Sequence, residues 1–359
     1  MPLSHVKGRE IFMNKSRLDK GGFSLEGINF ALYENPLPPI DEAIEAARAQ
    51  IHLSNRYTET FSLKLKEKIS EYVNVPVENI HINAGSELIL RQLFSRCGQS
   101  VHLISPTYYL FEEIAEKKTH TFLNENEDFL FDIKKLEIPE GTKLAVIVNP
   151  NNPNGTVFNI EDNISLIERN PNTIFLIDEA FIEFGGKAAK DLIFEYKNVI
   201  VTRTFSKAFS LASCWVGYAI ANKELIEHLN NHNDAYPLAR TAEAAAMASL
   251  EHLDKIKERV VKLKELTKDF AKSLEGLGIT TYPTETYFFL GKIPHVSGDE
   301  FAKALSEKDI HIRPLHQEGM ENKFLRFATS TAENHVIVVD AIKEIFTKNR
   351  KGIITMKKI

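Results

Sequence analysis

The sequence predicts an α/β fold: a mostly parallel sheet of the seven-stranded type, sandwiched by helices, with a smaller α+β unit after it. Three observations carry that expectation. Short apolar runs alternate with amphipathic stretches through the first two-thirds of the chain, as parallel strands covered on both faces require. A long helical pattern over roughly 241–277, broken near His252, follows Tyr236-Pro237 and leads the chain out of that alternation. Beyond Gly276 short strand and helix candidates mix freely. With 359 residues, 43% of them hydrophobic and 26% charged, the chain has length for two units and a substantial core.

The elements follow in order. Residues 1–30 are polar, carry Gly21-Gly22, and read as an arm that packs on something else. Pro36, Pro38 and Pro39 punctuate an extended segment before a helix that Asp41 is placed to cap. Helical spacing returns over 61–72, with Leu63, Leu65, Ile69 and Tyr72 on one face. Strands are expected at 80–83, 101–104, 144–148, 173–177, 199–202 and 216–220, and helices at 86–94, 108–115 and 160–167. The last part should hold strands at 287–290, 311–313 and 324–327 and helices at 298–308 and 333–347. We therefore expect an N-terminal arm over 1–45 that packs with the small unit or a partner subunit, a large unit over 46–245 and a small unit over 246–359.

Composition narrows the function. Lys+Arg total 44 against 49 Asp+Glu, a net charge of −5, which argues against nucleic acid as the main partner. The basic end, Lys348-Asn-Arg-Lys351 with Lys357-Lys358, reads as a solvated terminus. Cys97 and Cys214 fit no metal-ligand spacing, and no metal is expected; they read as reduced thiols of a cytoplasmic protein. No charged-then-apolar leader and no apolar run of about 18 residues is present, so no membrane partner is expected.

The chemistry gathers at the carboxyl ends of the expected strands, where open α/β sheets place their ligands. The 199–202 strand breaks into Thr204-Phe-Ser-Lys207. A lysine flanked by hydroxyls suits a Schiff base to an aldehyde whose phosphate the hydroxyls hold, which is the way pyridoxal phosphate (PLP) is bound. Gly85-Ser86 opens a helix, and helix N-termini favour a phosphate. Asp178 closes another strand, where its carboxylate could pair with a pyridine nitrogen and keep the ring an electron sink. Asn152, in Asn149-Pro-Asn-Asn-Pro-Asn-Gly155, could donate to the ring's phenolic oxygen, and Tyr108 could lie against the ring. Singly each has an ordinary explanation, since Pro-rich turns are common and strand-end Asp often caps a helix. Jointly, in this order, they point to PLP.

Over nearly its whole length the chain resembles the PLP-dependent aminotransferases of fold type I, most closely the histidinol-phosphate aminotransferase group. The resemblance runs from Glu34-Asn-Pro36 and Arg56-Tyr57, through Pro150-Asn-Asn-Pro153, Asp178-Glu-Ala-Phe-Ile-Glu-Phe184 and Arg203-Thr-Phe-Ser-Lys-Ala-Phe209, to Arg313 and Leu325-Arg326. It implies that Lys207 forms the Schiff base and shuttles a proton, with Asp178 and Asn152 in the roles given above. It implies that Tyr57 reaches the phosphate of a neighbouring subunit's cofactor, hence a homodimer with shared sites. Arg326, helped by Arg313, would bind an anionic group of the substrate, as a planar fork of donors suits.

Four positions depart from that family's pattern. Trp215 stands where an Arg, eight residues after the lysine, usually contacts the cofactor phosphate. Phe181 replaces a Tyr whose hydroxyl donates to the phenolic oxygen, and Tyr33 and Tyr287 stand where Asn is usual. The first two predict weaker cofactor retention and an altered Schiff-base proton affinity. The last two predict a bulkier, more apolar substrate pocket. The expected function is transfer of an amino group from an amino donor to an oxo-acid acceptor, on an amino acid or amino-phosphate. Alternatives are another PLP reaction on the same fold, such as decarboxylation of a phosphorylated amino acid or oxidation, and a relative without catalysis.

Overall fold

A computed structural model describes residues 27–350 apart from 125, 127, 131, 232, 233, 295 and 321. Most of the polar arm, with its Gly21-Gly22, and the basic end from Lys351 lie outside the described residues. The described chain begins at β1 (Ile28–Asn29) and crosses the Pro-rich segment to α1 (Asp41–Gln50) and α2 (Leu63–Val73). Ile40, not Asp41, takes the cap position of α1; Asp41 and Glu42 instead occupy its first turn, where acidic charge meets the positive end of the helix dipole.

Seven strands then build one sheet: β2 (Ile80–Ala84), β3 (Val101–Ser105), β4 (Lys118–Phe122), β5 (Leu144–Val148), β6 (Ile174–Asp178), β7 (Val199–Thr204) and β8 (Val216–Ala221). Their spatial order is β2-β8-β7-β6-β5-β3-β4. Only β8 runs against its neighbours, pairing antiparallel with β2 and β7. All five residues of β5 and all six of β7 and β8 are buried, which explains why these strands read as continuous apolar runs. The connecting helices α3 (Gly85–Cys97), α4 (Tyr109–Ile114), α5 (Ile160–Arg169) and α6 (Lys223–Asn230) complete the layers.

Two of these elements were not expected. β4 reads Lys-Thr-His-Thr-Phe and is an edge strand without a single fully buried residue, so it has no apolar run to announce it. α6 is eight residues long and rests on a cap, the Asn222 side chain accepting from the Leu225 N–H at 3.1 Å.

The long helical pattern is a pair, α7 (Arg240–Glu251) and α8 (Leu253–Glu275), parted at His252, whose φ of −128° and ψ of 48° leave the helical region. Along α8 the buried positions Ile256, Val260, Leu263, Thr267, Phe270 and Leu274 recur every three or four residues, one face turned to the core. The last part holds β9 (Thr280–Thr281), β10 (Phe288–Lys292), α9 (Gly298–Ser306), β11 (Ile310–His311), β12 (Arg313–Pro314), β13 (Phe324–Ala328) and α10 (Ala332–Arg350). Its four-stranded sheet has the order β12-β13-β10-β9 with antiparallel pairs. The single strand expected over 311–313 is split. β11 pairs in parallel with β1, tying the start of the described chain to this unit, and β12 joins β13.

Candidate active site

The carboxyl ends of β2, β5, β6 and β7 reach the same edge of the large sheet, and a cavity of about 440 Å³ lies there, within the range of small-molecule sites. At β2 the chain turns straight into α3 through Gly85, whose φ is +74°. A Cβ on Gly217 of β8 would stand 2.1 Å from the Ser86 nitrogen, so only glycine lets that strand pass so close under the helix start. Gly85 and Ser86 both line the cavity at the start of α3, where a helix N-terminus favours a phosphate.

At β7 the Thr204 hydroxyl accepts from the Ser206 N–H at 3.1 Å, lies 3.0 Å from the Ser206 hydroxyl and 3.3 Å from the Val216 carbonyl. This bonding fixes the turn that carries Lys207. Asn35 secures the same turn from the other side, its amide donating to the Lys207 carbonyl at 2.9 Å. The Lys207 amine lies 5.6 Å from the centroid of the Tyr33 ring and 5.8 Å from that of Phe181. Burial and then the nearby Arg326 bring its pKa down to about 8, against the pull of Glu34 and Asp178.

At β6 Asp178 is buried, and Thr202 donates to its Oδ1 at 3.1 Å. Burial pushes its pKa up to about 6, although Thr202 and the Ala180 N–H oppose the shift. A protonated ring nitrogen is the partner such a carboxylate lacks.

At β5 the asparagines divide the work. Asn149 exchanges two hydrogen bonds with Phe158, at 2.9 and 3.1 Å, and Asn151 ties the loop to Pro106 and Asn154. Asn152 is left to face the cavity. Its Oδ1 accepts from Tyr33 and, at 3.5 Å, from Arg326, so its NH₂ end is the one turned to a ligand.

Arg326, at the centre of β13, is buried. Its Nη2 donates to the Ala31 carbonyl at 2.6 Å, and its Nε has no acceptor among the described residues. Burial lowers its pKa to about 10. An orphaned buried guanidinium N–H is what an incoming anion would satisfy. Arg313 lines the same cavity with its guanidinium 4.3 Å from the centre of the Tyr109 ring.

Thirteen of the fifteen site residues expected from sequence line this cavity: Lys207, Asp178, Asn152, Tyr108, Gly85, Ser86, Thr204, Ser206, Phe181, Trp215, Arg326, Arg313 and Tyr33. Two do not. Tyr287 is fully buried behind the cavity, where its hydroxyl donates to the Tyr33 carbonyl, so it reaches the site only through Tyr33. Tyr57 is 80% exposed on the surface and stacks on Tyr236 at 4.7 Å. Trp215 is 54% exposed, with its indole 3.1 Å from where a Cβ on Gly85 would lie.

These groups fit a phosphorylated pyridine aldehyde: an amine of lowered basicity, a buried carboxylate with no ion-pair partner among the described residues, and a cavity lined by a helix start and hydroxyls that suit a phosphate. Glu179, Arg203 and Glu34 stand inside the sequence motifs with no role expected of them there. Glu179 receives Arg203 Nε and Nη2, both at 2.7 Å, and joins β6 to β7 behind Asp178. Glu34 lines the cavity. Among the described residues no cluster of three or more metal-ligating side chains occurs, and no helix is long and apolar enough to cross a membrane.

Similarity to known proteins agrees with this reading. The sequence model of the aminotransferase class I and II family matches residues 26–342. A histidinol-phosphate aminotransferase of Clostridium beijerinckii is 31% identical over 328 residues, which cover 89% of this chain and 90% of the relative. The crystal structure of the histidinol-phosphate aminotransferase from Clostridium acetobutylicum superposes with a TM-score of 0.82 at 24% identity, covering 89% of this chain and 99% of that one. The L-threonine-O-3-phosphate decarboxylase of Porphyromonas gingivalis shares the fold, with a TM-score of 0.80 at 21% identity over 89% of this chain and all of that one. Family match, relatives and strand-end chemistry agree: the chain belongs to the class I and II aminotransferases, PLP-dependent transferases, and is histidinol-phosphate aminotransferase-like.

Proposed function

We propose that this chain binds PLP in the 440 Å³ cavity and moves an amino group from an amino donor to an oxo-acid acceptor, one of the two carrying an acidic group such as a phosphate or carboxylate. The observation that carries the proposal is the convergence of Lys207, Asp178 and Arg326 on one cavity, each buried out of its ordinary titration range. PLP supplies the electron sink for electrons released at the substrate's Cα.

Each residue then has a task. Lys207, brought to a pKa of about 8, is a base when neutral and an acid when charged, and can take a proton from Cα and return it nearby. Asp178 holds the counter-charge of the ring nitrogen. Gly85, Ser86, Thr204 and Ser206 hold the phosphate, and Asn152 presents its NH₂. Arg326 and Arg313 orient the substrate through its acid.

A homodimer belongs to the same proposal. Tyr57 is exposed and does not line its own chain's cavity, as suits a residue that serves a second copy. So does the division into an arm over 1–45, a large unit over 46–245 and a small unit over 246–359, and a cytoplasmic location, supported by two unpaired cysteines. A single-turnover assay tests the reaction. Reconstituted protein given L-glutamate without an acceptor should form 2-oxoglutarate and pyridoxamine phosphate in equal amounts. Release of carbon dioxide from a phosphorylated amino acid, with no pyridoxamine phosphate, would establish decarboxylation instead.

A further inference from the structure

Resting on that reading, we infer that the acidic group of the substrate is not the end of the molecule: a neutral, planar portion continues past Arg313 into a second cavity. This second cavity, of about 400 Å³, adjoins the first, and both are lined by Tyr109, Asn152, Arg313 and Arg326. Its floor is one face of β4, where Lys118, His120 and Phe122 alternate, and its far wall comes from the segment after β12.

The polar groups of this cavity are largely engaged already. Lys118 pairs with Glu112 at 3.4 Å. His120 Nδ1 lies 2.9 Å from the Ser105 hydroxyl and 3.5 Å from Glu112. Gln317 clamps the Thr107 backbone, accepting from its N–H at 3.1 Å and donating to its carbonyl at 2.6 Å. Arg313 differs. It lines both cavities, is only partly buried, and has no hydrogen-bond or ion-pair partner among the described residues. The anion therefore sits at the junction.

What lies beyond is set by the remaining surface. Beyond the two arginines at the junction the charges of the lining are Glu112, Glu113 and Glu318 against Lys118, which already pairs with Glu112, so the second cavity offers no net attraction to another acid. Phe122 is 42% exposed and carries the His120 ring stacked on it at 5.4 Å and 13°. A flat aromatic or heteroaromatic portion would cover that exposed ring and meet the amide and imidazole edges around it. A phosphate diester, or an acid with an aryl substituent, has this chemistry.

The test uses the PLP-loaded protein and two probes, inorganic phosphate and phenyl phosphate, titrated by calorimetry. Phenyl phosphate should bind at least tenfold more tightly, the gain expected from burying one ring. Phe122→Ser should remove most of that gain. Glu113→Trp, at an exposed position of α4, should fill the cavity and abolish it, while inorganic phosphate still binds. Equal affinity for the two probes, no binding of either, or a gain that survives both substitutions would overturn the inference. None of these outcomes bears on whether glutamate converts the cofactor, so failure of the subsite and failure of the transamination reading are separable.

Discussion

The Tyr33 ring covers the Arg326 guanidinium, whose central carbon lies 3.1 Å from the ring centroid. The backbone of Tyr33 is left-handed, with φ of +55°, a costly setting for an aromatic residue that the surrounding packing must hold. Its ring meets Phe288 at 4.6 Å and Phe181 at 5.7 Å, and its carbonyl receives the Tyr287 hydroxyl. The two tyrosines, expected to make the pocket bulkier or more apolar, form a plug and its brace.

Removing the plug should expose the arginine. In Tyr33→Asn, inorganic phosphate should bind to the PLP-loaded protein roughly three- to tenfold more tightly by calorimetry, because the anion no longer displaces a cation–π contact. Thermal stability should fall at the same time through loss of the aromatic packing. Unchanged phosphate affinity would show that Tyr33 does not compete for Arg326.

Trp215 is the only tryptophan in the sequence and lines the cofactor cavity. Titration of the cofactor-free protein with PLP should therefore quench its fluorescence. Trp215→Arg should restore a charge-assisted contact to the phosphate and slow cofactor loss on dialysis by about tenfold or more. Faster loss from the Arg variant would contradict this assignment of the phosphate end.

Asp178 links the site to pH. In the cofactor-free native protein its pKa is about 6, against 3.8 ordinarily, so between those values the native state holds the proton more tightly than the unfolded chain. The stability advantage is complete below pH 3.8 and lost as pH rises through 6, an amount of about 3 kcal/mol. Glu183, buried with a pKa pushed up to about 7, acts in the same direction over a slightly higher window. The difference in unfolding free energy between the cofactor-free wild type and Asp178→Asn should therefore fall from pH 4 to pH 7. A difference independent of pH would mean that Asp178 is ionised throughout.

Behind the site, Arg203 and Glu179 are both buried, and the second Glu179 oxygen accepts from the Ala189 N–H at 2.5 Å. Arg203→Met should cost roughly 3–5 kcal/mol in denaturant unfolding, since it leaves a carboxylate uncompensated. Replacing both residues with apolar ones of similar size should cost less than the single change. Additive losses would show that the pair is not coupled.

How much of this could be read beforehand depended on the kind of signal. Buried parallel strands such as Leu144–Val148 and Val199–Thr204 announce themselves as apolar runs, and the residues that end them fall on one edge for topological reasons. The edge strand Lys118–Phe122 carries no such signal, and the second cavity built on it was invisible with it. The break at His252 was legible because the helical pattern loses phase there, whereas the split at Ile312 depends on two different partners, the nearby Phe324–Ala328 and Ile28–Asn29, which is far away in sequence. Tyr33 and Tyr287 stand out in the sequence as a pair of departures from the family's pattern, but which of them faces the cavity follows only from packing.

The most direct test is an absorbance spectrum of the purified protein reconstituted with PLP, recorded before and after L-glutamate, with Lys207→Ala alongside. We expect a band near the visible edge that glutamate collapses to the pyridoxamine phosphate form, and neither the band nor its collapse at a comparable rate in Lys207→Ala. A wild-type protein that acquires no band, or one that keeps it unchanged with glutamate and with anionic amino compounds alike, would contradict the account.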